Sequence, residues 1–153
     1  MIDEKLATEI TRRANAIPIV KTLGLRLEAF DAGTCRMRAP YDRRYDGVFE
    51  SFHGGILMTV ADSAACFAIL TRTGPDERMA TTDMNIRFLA PCREDLVVEA
   101  RVLKLGRTLV PVEVELREAS GKPVAVAQVS YLRLTGPTPS TGPAKPESRP
   151  PAP

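Results

Sequence analysis

Apolar and polar positions follow three different periods along this chain, and each period predicts its own kind of element. Between Asp3 and about Ile17, Leu6, Ile10, Ala14 and Ile17 recur at spacings of three and four, the period of an amphipathic helix. Asp3 supplies an N-cap and Pro18 a stop. From Leu23 to Phe30 the period drops to two, with Leu23, Leu25 and Leu27 set against Gly24, Arg26 and Glu28, which predicts a strand. Asp31-Ala32-Gly33 reads as a turn into a second strand, Thr34 to Ala39, with Cys35, Met37 and Ala39 on one face and Pro40 closing it. A loop rich in charge and aromatics follows from Tyr41 to Phe52. The third pattern runs from Ile56 to Leu70, without Gly or Pro and apolar on every face. It predicts a central helix over about residues 54–72, buried on all sides. Its apolar run of about 16 residues falls short of the roughly 20 that span a bilayer.

Beyond the helix, Thr73-Gly74-Pro75-Asp76 predicts a turn and Met79 to Ala90 a long strand. Met84, Ile86 and Phe88 share one face of it; Thr81, Asp83, Asn85 and Arg87 share the other; Pro91 stops it. Asp95 to Leu105 is a further strand, turned tightly at Gly106-Arg107 into Thr108 to Ala119, and Ser120-Gly121-Lys122 turns that into Pro123 to Leu134. Pro111 cannot donate to a ladder, so a bulge or a strand end is expected there. The expectation is an α+β domain over residues 1–134, with antiparallel strands, the last four in a meander, wrapped around one apolar helix. Residues 135–153, dominated by Pro, Gly, Ser and Thr, are expected to form a disordered tail.

Composition narrows the function. With 153 residues the chain suits one domain, and its net charge of +2 gives no footing for nucleic acid. Cys35, Cys66 and Cys92 are odd in number and far apart, which fits a reducing cytoplasm and offers no metal site. The first residues lack the apolar run of a signal peptide, and no membrane association is expected. One charge, Asp62, interrupts the apolar helix, where an unpaired carboxylate is costly. The helix opens with Gly54 and Gly55 directly after His53, the single histidine, so its first-turn N–H groups are uncovered and carry the positive end of the helix dipole. One histidine and no GxSxG elbow argue against a Ser-His-Asp triad. Cys66, one turn past Asp62 in an apolar setting, reads as an inert core thiol.

Four pieces in register carry a resemblance: His53-Gly54-Gly55 with Asp62 after it, the strand Thr81 to Pro91, Leu105-Gly106-Arg107-Thr108, and Ser120 to Ala125. Over Leu23 to Leu134 the chain resembles the hotdog-fold thioesterases, in particular the PaaI-like acyl-CoA thioesterases. The resemblance implies a curved sheet around the central helix, protomers joined sheet edge to sheet edge as a homodimer or a dimer of dimers, and active sites at the dimer interface. It implies that the Gly55 N–H polarises the thioester carbonyl, His53 shapes that pocket, Asp62 is general base or nucleophile, and the Thr81 hydroxyl holds the attacking water. It places Gly54, Asn85, Arg87 and Gly106 along the substrate path and Lys104 and Arg107 at the phosphates of coenzyme A, which enters as part of the substrate and not as a cofactor. Relatives often carry an Asn six residues before the histidine; here that position is Gly47.

Two classes of function stay open on these residues. One is hydrolysis of an acyl-CoA thioester. The other is a non-catalytic hotdog protein that binds acyl-CoA or serves as a scaffold, which the missing amide at Gly47 favours. A hotdog dehydratase ranks last, because no histidine stands upstream of His53. Asp83 and Arg87 also suit pairing across a dimer, and Lys104 and Arg107 suit solvated turn charges. At about 1.5 Å of rise per residue, Gly55 and Asp62 lie on the order of 10 Å apart along one helix. One carbonyl can then meet both only if a second protomer supplies one of them.

Overall fold

The computed structural model describes residues 2–134. Its elements are α1 (Glu4–Ala16), α2 (Pro18–Thr22), β1 (Arg26–Asp31), β2 (Thr34–Ala39), a 3-10 turn at Arg43–Tyr45, α3 (Gly54–Thr73), β3 (Met79–Phe88), β4 (Leu96–Val102), β5 (Leu109–Glu118) and β6 (Pro123–Arg133). The six strands form one antiparallel sheet in the order β1-β2-β4-β5-β6-β3. This is the expected α+β hotdog architecture, with α3 held against the sheet. The tail expected from Thr135 lies outside the described residues.

Asp3 caps α1 as expected, its side chain accepting from Lys5 N. Pro18 does more than end α1. It opens α2 at the first helical position, where its missing N–H costs nothing. Leu23 to Leu25 are therefore not strand. Gly24 N donates to Lys21 O and Leu25 N to Val20 O, with Gly24 at φ +62, the left-handed close of a helix. Leu23 and Leu25 are still buried, so the period-two pattern marked burial correctly and the element wrongly.

The last four strands are not one meander. β4, β5 and β6 are, but β4 pairs with β2, and β3 crosses to the far edge beside β6. Burial explains the order. Leu96, Val97, Val98, Ala100 and Val102 of β4 are all buried, as the centre of a sheet requires, whereas β3 is exposed at seven of its ten positions. β4 is also shorter than its pattern suggested, stopping at Val102 and not Leu105. The β4–β5 ladder ends at the Val102–Val112 pair, and Leu103 N reaches Pro111 O. Pro111 is thus a strand end towards β4 and an unbroken partner of Ser130 towards β6; the register shift in β5 falls at Leu116/Arg117 instead. The connection is consequently a loop over residues 103–108 and not a tight turn at Gly106-Arg107. Gly106 is needed in it because a Cβ there would stand 2.3 Å from Leu109 O.

α3 is longer and less enclosed than its sequence suggested. At 20 residues it is long and apolar enough to cross a membrane, so the length argument against a span fails; here it packs on the sheet. Leu57, Val60, Ala61, Ala64, Ala65, Ala68 and Ile69 are buried. Gly55 is exposed, and Thr59, Asp62 and Cys66, which follow it at helical spacing, are only partly buried. The expectation of burial on all sides is wrong for this face, because a single sheet covers only one side of the helix.

Candidate active site

Asp62 lies on the open face of α3, half-buried, and does not stand unpaired. Thr81 Oγ1 donates to its Oδ1 at 2.9 Å, and the Tyr131 hydroxyl donates to the same oxygen at 2.7 Å and approaches the Asp62 carbonyl oxygen at 2.9 Å. Thr81 and Tyr131 are directly paired residues of β3 and β6, so two neighbouring strands aim two hydroxyls at one carboxylate. The buried Tyr131 hydroxyl is held protonated: burial, the neighbouring Cys66 and the Asp62 carboxylate raise its pKa far above the ordinary phenol value. Burial, and then the charge of Asp62, push the Cys66 thiol up to about 11, so it is not a thiolate at neutral pH and remains the inert group expected.

A register shift in β3 makes this arrangement. Thr81 pairs with Tyr131 and Asp83 with Ser130, leaving Thr82 as the extra residue. An unbroken strand would put Thr81 on the face of Asp83, Asn85 and Arg87, as the sequence pattern suggested. The shift turns Thr81 inward with Met84, Ile86 and Phe88 and leaves Asn85 and Arg87 on the outer face. There Arg87 Nη1 donates to Asn85 Oδ1 at 2.9 Å. Within one protomer, Asn85 and Arg87 are therefore not brought to Asp62.

The other half of the expected site sits at the far end of β3. His53 is the N-cap of α3, and its Nδ1 accepts the Gly55 N–H at 2.9 Å. This fixes the tautomer with the proton on Nε2. It also means that the N–H expected to polarise a carbonyl already has a partner. The Phe88 ring covers Gly54, where a Cβ would stand 3.0 Å from the ring edge. Gly47 lies beside the imidazole: a Cβ there would meet His53 Cδ2 at 3.6 Å, an ordinary contact. The loop that carries Gly47 is pinned by the Asp46–Phe52 bridge and by Arg93 Nε donating to Glu50 O, and it holds Val48 and Phe49 out at 91% and 81% exposure. Lys104 and Arg107 are exposed in the 103–108 loop, which Arg133 ties to β6 through Gly106 O, two residues past Tyr131. No group of three His, Cys, Asp or Glu side chains among the described residues could hold a metal.

Residues 49–125 match the family model described as the thioesterase superfamily. The chain belongs to that superfamily. A Saccharolobus solfataricus protein named as an esterase is 30% identical over 131 residues, covering 85% of this chain and 91% of that protein. Human acyl-coenzyme A thioesterase 13 is 34% identical over 95 residues, 60% of this chain and 65% of that enzyme. Among solved structures, a thioesterase family protein from Silicibacter pomeroyi superposes with a TM-score of 0.79 at 27% identity, covering 86% of this chain and 99% of that one. The E. coli PaaI protein superposes with a TM-score of 0.80 at 21% identity, covering 89% and 98%. The reaction class that goes with this membership and fold is thioester hydrolysis. Tyr131 is the site residue that the sequence did not reveal. Its partner Thr81 is 50 positions away, and only the strand register brings the two together.

Proposed function

We propose that the chain hydrolyses an acyl-CoA thioester with Asp62 as the reacting carboxylate. The observation that carries this is Asp62 itself: half-buried on the open face of a core helix, with two hydroxyls fixing one oxygen. Acting as base, Asp62 takes a proton from water while the hydroxide oxygen bonds to the thioester carbon. The C–S bond then breaks, the thiolate of coenzyme A takes the proton back, and the free acid leaves. Acting as nucleophile, Asp62 bonds to the same carbon, expels the thiolate, and water cleaves the resulting anhydride.

The carbonyl would be polarised from the start of α3 in a second copy of the chain. Asp62 lies under Thr81 at one end of β3 and Gly54 under Phe88 at the other. Among the described residues β3 is a ten-residue edge strand with one ladder side unpaired, a ready template for pairing. Antiparallel pairing of two copies about a two-fold axis near Asn85 sets the Thr81 end of one against the Phe88 end of the other, and Asp83 opposite Arg87. The incoming carbonyl oxygen would compete with His53 Nδ1 for the Gly55 N–H. Lys104 and Arg107 would meet the phosphates. The non-catalytic reading draws on two observations: no side chain at Gly47 and a Gly55 N–H that is already bonded. A panel of acyl-CoA thioesters of varied chain length, with release of free thiol as the readout, separates the two. Binding without thiol release across the panel would establish the binder.

A further inference from the structure

Asp62 has two chemically equivalent oxygens when free, and the fold makes them different. Both hydroxyl donors, Thr81 at 2.9 Å and Tyr131 at 2.7 Å, converge on Oδ1. Among the described residues no donor reaches Oδ2. Tyr131 is 5% exposed, so its ring cannot move aside, and its hydroxyl also spans to the main-chain oxygen of Asp62 at 2.9 Å. The hydroxyl has one proton and gives it to the carboxylate, so the main-chain contact shows only how closely the hydroxyl is seated beside Asp62. Thr81, with its proton committed to Asp62, keeps lone pairs that can accept a hydrogen from water.

We propose that Tyr131 is a positioning residue for the thioester reaction: it anchors Asp62 Oδ1 and so presents Oδ2 as the one oxygen that takes a proton from water or attacks the carbonyl. The role rests on Asp62 being the reacting carboxylate. Tyr131 itself touches no reacting atom and gives up no proton. Its value is geometric, because a carboxylate free to rotate spends part of its time with neither oxygen turned towards the substrate and loses the advantage of a fixed approach.

Tyr131→Phe tests this in the full chain, on the acyl-CoA that the wild type cleaves best. It keeps the ring and removes the hydroxyl. The expected result is a roughly tenfold lower kcat, KM within about twofold, and a Tm within a few degrees, as for an interaction used in the transition state. In an Asp62→Asn background the same change should leave the residual rate where it was, since Tyr131 acts only through the carboxylate. Wild-type kcat in Tyr131→Phe, or the same tenfold loss in the Asp62→Asn background, would overturn the role of Tyr131 and leave Asp62 in place. A wild type that releases no thiol, or an Asp62→Asn variant with full turnover, would overturn the reading of Asp62 and this role with it. If Tyr131→Phe does not fold, 3-fluorotyrosine at position 131 keeps the packing and alters the donor; kcat must then change at constant KM, and an unchanged kcat overturns the role.

Discussion

Asp62→Asn separates a reacting carboxylate from a structural one, because the structure gives the two roles different costs. Asn retains a side-chain oxygen that can accept from both Thr81 and Tyr131, so both hydroxyls keep a partner. A hydrogen bond to a charged acceptor contributes about 1.5–3 kcal/mol and a neutral one about 1; Asp62 is only partly buried and Thr81 exposed, so the low end applies, and the two weakened bonds cost about 0.5 each and about 1 kcal/mol together. The amide removes the desolvation penalty of a half-buried charge, which offsets part of that. The net change should lie within about 1 kcal/mol, a Tm shift of roughly 5 °C or less for a domain of this size. The chemical cost is far larger. Loss of a general base lowers the rate by roughly 10²–10⁴-fold, or about 3–5 kcal/mol at 1.36 per factor of ten. Asp62→Ala provides the contrast: it strips both acceptors and should cost about 1–3 kcal/mol in stability. The assay is kcat by thiol release and Tm by calorimetry on the same preparation. A well-folded Asp62→Asn protein with full turnover would refute the mechanism. A large Tm loss with activity per folded molecule preserved would show that the carboxylate only holds the helix to β3 and β6.

Four further outcomes are expected. Gly47→Asn should fold normally, because no positive φ is required there and the nearest atom to a new Cβ is 3.6 Å away; it should raise kcat by supplying the amide that the family resemblance implies there, and an unchanged rate would show that the His53 side needs none. Neutralising Lys104 and Arg107 together should raise KM for acyl-CoA with kcat little changed, and should have less effect on a pantetheine thioester that lacks the nucleotide; equal losses on both substrates would point to damage in the 103–108 loop. Sedimentation at micromolar concentration should show a dimer, and Asn85→Pro on β3 should dissociate it and abolish turnover; an active monomer would refute the shared site. Gly106→Ala should be destabilising, since its Cβ would clash with backbone at 2.3 Å, and an unchanged Tm would show that the loop yields freely.

The sequence by itself determined the parts whose cause is local. Apolar periodicity marked α1, β2, α3, β5 and β6, because burial of one face writes itself into neighbouring residues. Asp3, Pro18 and Gly121 marked boundaries, because caps and turns constrain their own backbone. Asp62 stood out as a lone charge in an apolar run for the same reason, and so named the candidate site. Whatever depended on which strand lies beside which was decided only in three dimensions. The path of β3 past the meander to the edge follows from the competition between β3 and β4 for the buried centre of the sheet, a comparison that neither segment contains alone. The single extra residue at Thr82 turned Thr81 inward, off the face that strict alternation gave it, and left Asn85 and Arg87 on theirs. Tyr131 became a partner of Asp62 through a ladder joining residues 50 positions apart. Hydrogen bonds of this kind act over 3 Å in space, and nothing in a linear pattern measures that distance.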